Sequence, residues 1–228
     1  MPEHGYCLLV YSFTPYSSKN RTKLNIKKIY LVRHGQTDMN LKGIVQGSGV
    51  DSSLNVTGKF QAKKFYEKYG NLPFDKIYIS ALQRTKESVE KFIDKGLPTE
   101  VLPELNEISW GIREGKVVDE EGSAYYKAML KAWKMGQTDV RIEGGESPDE
   151  MAIRLKFALD YIMEKNEEHE ILICMHGRAM RAMLCLMLNF PLKAMDIFEH
   201  ENLCLYELHH TGSVFTIAKF MDLSHMES

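Results

Sequence analysis

Ile29-Tyr30-Leu31-Val32-Arg33-His34-Gly35-Gln36-Thr37-Asp38-Met39-Asn40 is the stretch on which the reading of the fold turns. Four apolar or aromatic residues run into Arg33-His34-Gly35, and a polar tail follows. Such a run predicts a short buried strand that delivers an arginine and a histidine to a turn made possible by Gly35. Far along the chain, Ile171-Leu172-Ile173-Cys174-Met175-His176-Gly177 repeats the design. Two strands that each end in His-Gly can bring both imidazoles to one edge of a sheet. In open α/β sheets ligands gather at the carboxyl ends of the strands, so chemistry is expected there.

The chain between and beyond these strands alternates. Residues 42–55, rich in Gly, Ser, Asp and Asn, read as a loop. A helix is expected from Thr57 to Tyr69, with Phe60, Phe65, Tyr66 and Tyr69 on one face. Ile77-Tyr78-Ile79 predicts a strand leading into a helix from about Leu82, stopped by Gly96 and Pro98. Thr99 to Leu102 is a third strand. Residues 108–143 are irregular apart from a helical piece carrying Tyr125, Met129 and Trp133, and are expected to form a lid or substrate lobe over the strand ends. Ser147-Pro148-Asp149-Glu150 is the clearest helix start, with a capping Ser, Pro in the first turn and Glu three residues after the cap. Met151, Leu155, Leu159 and Ile162 continue it as a buried stripe. A helix from about Arg178 to Asn189 follows the second His-Gly. Leu203 to Leu208 and Val214 to Lys219 flank a turn containing His209-His210, giving a closing hairpin. The sum is an α/β fold with a mainly parallel sheet and helices on both faces.

At 228 residues the chain fits one domain, 26–228, preceded by an extension, 1–25, to which no role is assigned. A formal net charge of −2 provides no global basic field for nucleic acid. No apolar run reaches the ~18–20 residues of a membrane span, and the start lacks the basic opening and longer apolar segment of a secretory signal. The four cysteines, Cys7, Cys174, Cys185 and Cys204, show no paired spacing, so reduced thiols in a cytoplasmic protein are expected. Oligomeric state is not legible.

Arg33 and Arg84, the latter just inside the helix after the second strand, can join His34 and His176. Two guanidiniums and two imidazoles make a cationic pocket suited to a tetrahedral dianion. Helix N-termini after Ser80 and Gly177 can add backbone donors, and a neutral imidazole nitrogen is a competent nucleophile toward phosphorus.

At this point the residues resemble a family. Leu31-Val32-Arg33-His34-Gly35-Gln36-Thr37 with Asn40, then Gln46-Gly47, Ser80 to Arg84, Glu107 with Gly111, Gly144-Gly145-Glu146-Ser147 and His176-Gly177 resemble, in order, the motifs of the histidine phosphatase superfamily, which includes the cofactor-dependent phosphoglycerate mutases. The likeness covers about Lys28 to Lys219. It implies His34 as nucleophile through a phosphohistidine, with Arg33, Arg84 and His176 holding the phosphoryl oxygens. Glu107 is implied as general acid and base, preferred over Glu104 as its competitor, while Asn40, Gln46, Gly47 and Gly177 add phosphate or substrate contacts. It also implies a small phosphorylated substrate and a mechanism needing no metal or cofactor.

Ala81, Thr85 and Arg113 depart from the usual pattern, Arg113 in the region that shapes the substrate site. Arg178 and Arg181 are read as exposed or ion-paired, with Arg178 close enough to reach substrate. His200, His209 and His210 are read as solvent-facing rather than as a metal cluster. Between Glu107 and Gly144 the chain lacks the proline-rich and additional basic stretches expected of a mutase. The expected activity is therefore phosphomonoester hydrolysis, with phosphoglycerate mutase activity as the alternative and non-catalytic binding of a phospho-ligand as a third reading.

Overall fold

The computed structural model describes residues 26–117 and 120–227, so the reading of residues 1–25, and of Cys7, lies outside the described residues. Six strands form one sheet: β1 (Lys27–Arg33), β2 (Lys76–Ile79), β3 (Thr99–Val101), β4 (Glu170–Met175), β5 (Leu205–His210) and β6 (Phe215–Asp222). Their order is β3-β2-β4-β1-β5-β6. The first four in that order are mutually parallel, and β5 and β6 close the sheet as an antiparallel hairpin. Six helices accompany them: α1 (Asp38–Leu41), α2 (Val56–Tyr69), α3 (Gln83–Asp94), α4 (Glu120–Lys134), α5 (Pro148–Met163) and α6 (Gly177–Leu188). The mainly parallel α/β architecture with two covered faces is the one the sequence predicts.

Side chains alternate across a strand, so each buried strand feeds two cores. Ile29, Leu31, Ile171, Ile173 and Met175 pack with Met151, Leu155, Leu159 and Ile162 of α5 and with α6. Tyr30, Val32, Leu172 and Cys174 pack with Phe65 and Tyr69 of α2 and Val89 and Phe92 of α3. β1 and β4 pair with Arg33 opposite Met175. The His-Gly steps that follow both strands are therefore level, and the His34 N–H donates to the Met175 carbonyl (3.0 Å).

Helix α5 begins as its sequence demands. Ser147 Oγ accepts from Glu150 N (3.2 Å), and a Glu150 carboxylate oxygen accepts from Ser147 N (2.9 Å). The segment expected as a lobe is knitted into the α5–α6 layer. Met129 and Trp133 of α4 are buried there with Trp110 and Ile142, and Trp133 Nε1 donates to the Val140 carbonyl (2.8 Å).

Four expectations are corrected. Phe60 is 50% exposed, because the inward stripe of α2 runs through Phe65 and Tyr69, one turn apart, and a residue five positions before Phe65 lies off it. Tyr125 is 44% exposed at the edge of α4, while Tyr126 packs against the core. His209 and His210 lie in β5 and are half-buried, His209 Nε2 sitting 2.8 Å from a Glu207 carboxylate oxygen. Gly35 is needed for close approach, since a Cβ there would stand 2.8 Å from the Gly58 carbonyl oxygen. It is not among the residues with positive φ. The described cysteines, Cys174, Cys185 and Cys204, are free and buried.

Candidate active site

His34 stands at the end of β1 and is 3% exposed. Its Nδ1 lies 2.7 Å from the carbonyl oxygen of Gly35. A carbonyl only accepts, so Nδ1 carries the proton and Nε2 keeps a lone pair. Burial, followed by the charges of Arg33 and Arg84, holds the imidazole well below its ordinary protonation range. The backbone around it is locked: Gly35 N donates to Ser88 Oγ (2.8 Å) and Asn202 Nδ2 donates to the His34 carbonyl (3.0 Å).

The His176 ring lies 5.2 Å from that of His34, centroid to centroid. Its Nδ1 accepts from Arg84 Nε (3.2 Å), so its Nε2 donates to Ser80 Oγ (2.8 Å). Ser80 Oγ is 3.0 Å from Thr85 Oγ1, which donates to the Leu82 carbonyl (2.8 Å). The bonds run one way, from guanidinium to imidazole to two hydroxyls to a carbonyl. Both ring nitrogens of His176 are thus engaged by protein, whereas the sequence reading expected one to face a phosphoryl group. Burial, then Arg84, lowers the basicity of His176 well below the usual range.

Arg84 is fully buried at the start of α3. Besides His176 it donates to the carbonyls of Val50 (2.7 Å) and Gly47 (3.3 Å). Three of its five N–H groups are thereby committed, and two are left for an anion. Arg33 donates from Nη1 to His200 Nδ1 (3.2 Å), and its buried Nε has no protein partner. Burial is the largest influence on both arginines, and the negative charge of Glu107 is the strongest opposing one. That places Glu107 electrostatically beside both.

Glu107 is buried. Its carboxylate accepts from the backbone N–H of Ile108 (2.9 Å), Arg178 (3.0 Å) and Ala179 (2.9 Å). The N-terminus of α6, expected to offer donors to phosphate near Gly177, is here capped by this carboxylate, which suits the positive end of the helix dipole. A Cβ at Gly177 would lie 2.7 Å from His200 Nε2, so a larger residue there would push on the ring that accepts from Arg33.

The other expected contacts sit around the loop after β1. Asn40 closes the α1 capping box, its Oδ1 accepting from Thr37 N and Thr37 Oγ1 (both 3.1 Å). Gln46 donates to Thr37 Oγ1 (2.8 Å) and accepts from Ser52 Oγ (2.6 Å). Gly47 contributes the carbonyl that holds Arg84.

Arg154 was missed in the sequence, and several other residues were named without the part they play here. Ser80 directly follows β2 at the same edge, and the strand-end logic used for the histidines would have given it a place in the site as well as at a helix entry. His200 joins the site through Arg33, at the opposite end of β1 from His209 and His210, which pair with Lys28 and Lys27. Arg154 of α5 donates to the carbonyls of Glu104, Asn106 and Glu107 and to the Glu146 carboxylate, fixing the loop that carries Glu107. Arg178 is buried and ion-paired, the second of the two alternatives read from the sequence. It pairs with Asp196 (2.5 Å), donates to Tyr126 Oη (3.0 Å) and lies over the Trp133 ring. Arg181 shares Asp196 at 2.7 Å.

Two imidazoles, two guanidiniums and a carboxylate thus gather at one edge of the sheet, an arrangement able to hold a tetrahedral dianion. The chain belongs to the histidine phosphatase superfamily (branch 1), whose family model matches residues 29–223. Among its relatives, a probable phosphoglycerate mutase GpmB of Erwinia tasmaniensis is 31% identical over 206 residues, covering 88% of this chain and 95% of that protein. A probable phosphatase of Schizosaccharomyces pombe is 30% identical over 213 residues, covering 88% and 96%. In fold, the chain resembles a putative alpha-ribazole-5'-P phosphatase of Escherichia coli with a TM-score of 0.77 at 22% identity, covering 86% and 96%. Among the described residues, no helix is long and apolar enough to cross a membrane.

Proposed function

We propose that this chain hydrolyses a small phosphomonoester through a phosphohistidine on His34. The observation that carries the reading is the Nδ1–H bond to the Gly35 carbonyl, which leaves Nε2 bare beside Arg33 and Arg84. In the first step the Nε2 lone pair forms the N–P bond while the P–O bond of the ester breaks, and Glu107 delivers a proton to the departing oxygen. In the second, water attacks phosphorus, Glu107 takes its proton and the N–P bond returns its electrons to the imidazole. The free donors of Arg33 and Arg84 hold the phosphoryl oxygens as charge spreads over them. His176 acts chiefly by orienting Arg84, and Asn40, Gln46, Gly47 and Gly177 shape the surrounding loop and helix end.

Brief exposure to a ³²P-labelled acyl or aryl phosphate, followed by denaturation in base, tests the assignment. Base-stable, acid-labile label on His34 is expected, with none on His34→Ala; equal labelling of the two proteins sinks it.

Mutase activity is the second reading, favoured by the name of the Erwinia relative. Incubation with 3-phosphoglycerate and a trace of 2,3-bisphosphoglycerate separates the two. Released phosphate supports hydrolysis, while 2-phosphoglycerate without phosphate release supports the mutase.

A further inference from the structure

We infer that the phosphomonoester taken by this chain carries a flat apolar or aromatic leaving group. The inference rests on the phosphatase reading and names its substrate class. A cavity of about 290 Å³ is walled by Ile44, Val45, Trp110, Tyr125, Tyr126 and Ile142. Two short chains of hydrogen bonds tie its wall to the site. Gln46, also in its wall, bonds to Thr37 just beyond His34-Gly35. Tyr126 accepts from Arg178, whose backbone N–H holds Glu107.

The wall is braced by ring contacts within the protein. Trp110 meets Tyr126 edge-on at 5.6 Å and lies near-parallel to Trp133 at 6.1 Å. A ring entering such a cleft buries area without ordering the protein around it. Three polar side chains of the wall, those of Gln46, Tyr125 and Tyr126, are already engaged. Both ends of the Gln46 amide are bonded, to Thr37 and Ser52, and the Tyr125 and Tyr126 hydroxyls are engaged by the Arg141 carbonyl and by Arg178. Sugar or glycerate hydroxyls would surrender water there for few partners, which is unfavourable. A volume near 300 Å³ is at the small end of ligand pockets and fits one or two fused rings. Among the described wall residues, Arg113 and Lys116 are the charged ones.

Calorimetry on the full-length protein tests this without turnover. The ligands are three non-hydrolysable dianions: 1-naphthylmethylphosphonate, ethylphosphonate and the phosphonate analogue of 3-phosphoglycerate. The naphthyl compound is expected to bind about 10- to 100-fold tighter than ethylphosphonate. Tyr125→Ala, an exposed change that threatens no core, should narrow that ratio, as should a charge placed in the wall by Val45→Asp. Equal affinities overturn the inference, as does tightest binding of the glycerate analogue, which would assign Arg113 and Lys116 to a second anion. Release of phosphate from 1-naphthyl phosphate, followed in parallel, tests the parent reading. Tight naphthyl binding without hydrolysis removes the phosphatase and keeps the pocket; hydrolysis without ring preference does the reverse.

Discussion

The proposed mechanism requires a neutral His34, and the surroundings of that ring favour the neutral form. Burial first, then Arg33 and Arg84, depress its protonation below the ordinary imidazole range. Removing a positive neighbour raises it again, so Arg84→Met should slow the reaction and also move the acid limb of kcat/KM to higher pH; an unmoved or lowered limb contradicts this. Glu107→Gln should cost roughly 10²- to 10⁴-fold on alkyl phosphates, which need a proton on the leaving oxygen, and much less on 4-nitrophenyl phosphate in the first step. His200 holds Arg33 as an acceptor. His200→Phe should therefore lose about tenfold or more in kcat/KM, with His200→Asn recovering part through its amide oxygen. That His34, Arg33, Arg84 and His176 come together was legible because each lies at or just past a strand end, whereas Glu107 was named only through the family resemblance. The part of His200 was not legible, because its partner lies 167 residues away and nothing local marks the contact.

Elements were legible where their signals are local. The start of α5 is written in four consecutive residues, and the structure shows both reciprocal bonds. Ser147→Ala removes one of them and should destabilise the protein by about 1 kcal/mol. The corresponding fall in melting temperature is about 2–4 °C in a domain of this size, readable by calorimetry. The faces of helices were less legible. Phe60 and Tyr125 are apolar enough to be assigned inward, yet the packing of Phe65 with Tyr69 and of Met129 with Trp133 decides which stripe is buried. Likewise the N-terminus of α6 reads from sequence as an open anion site. Only the tertiary placement of the Glu107 loop, clamped by Arg154, shows that a carboxylate already caps it.

At the scale of the whole molecule, the buried imidazoles couple acidity to stability. His34, His176 and His225 are buried with protonation depressed by burial, His225 to about 4. In the unfolded chain they take up protons near pH 6.5, while the folded chain does not. Their contribution is therefore intact above about pH 6.5 and is lost as pH falls, by at most about 1.4 kcal/mol per pH unit for each. Urea midpoints measured from pH 7 to pH 4.5 should fall steadily, and a flat profile would contradict the assignment.

The pairing of β1 with β4 also bears on how the molecule comes into being. Lys28 and Glu170 lie opposite one another across 142 residues of chain. At ordinary rates of synthesis β1 leaves the ribosome roughly 10–30 s before its central partner exists. Throughout that interval Ile29 to Val32 form an apolar ribbon without its central partner, and the nascent chain holds His34 without His176. Truncated products ending before β4 should thus be catalytically silent and chaperone-bound, while the activity arrives late and all at once.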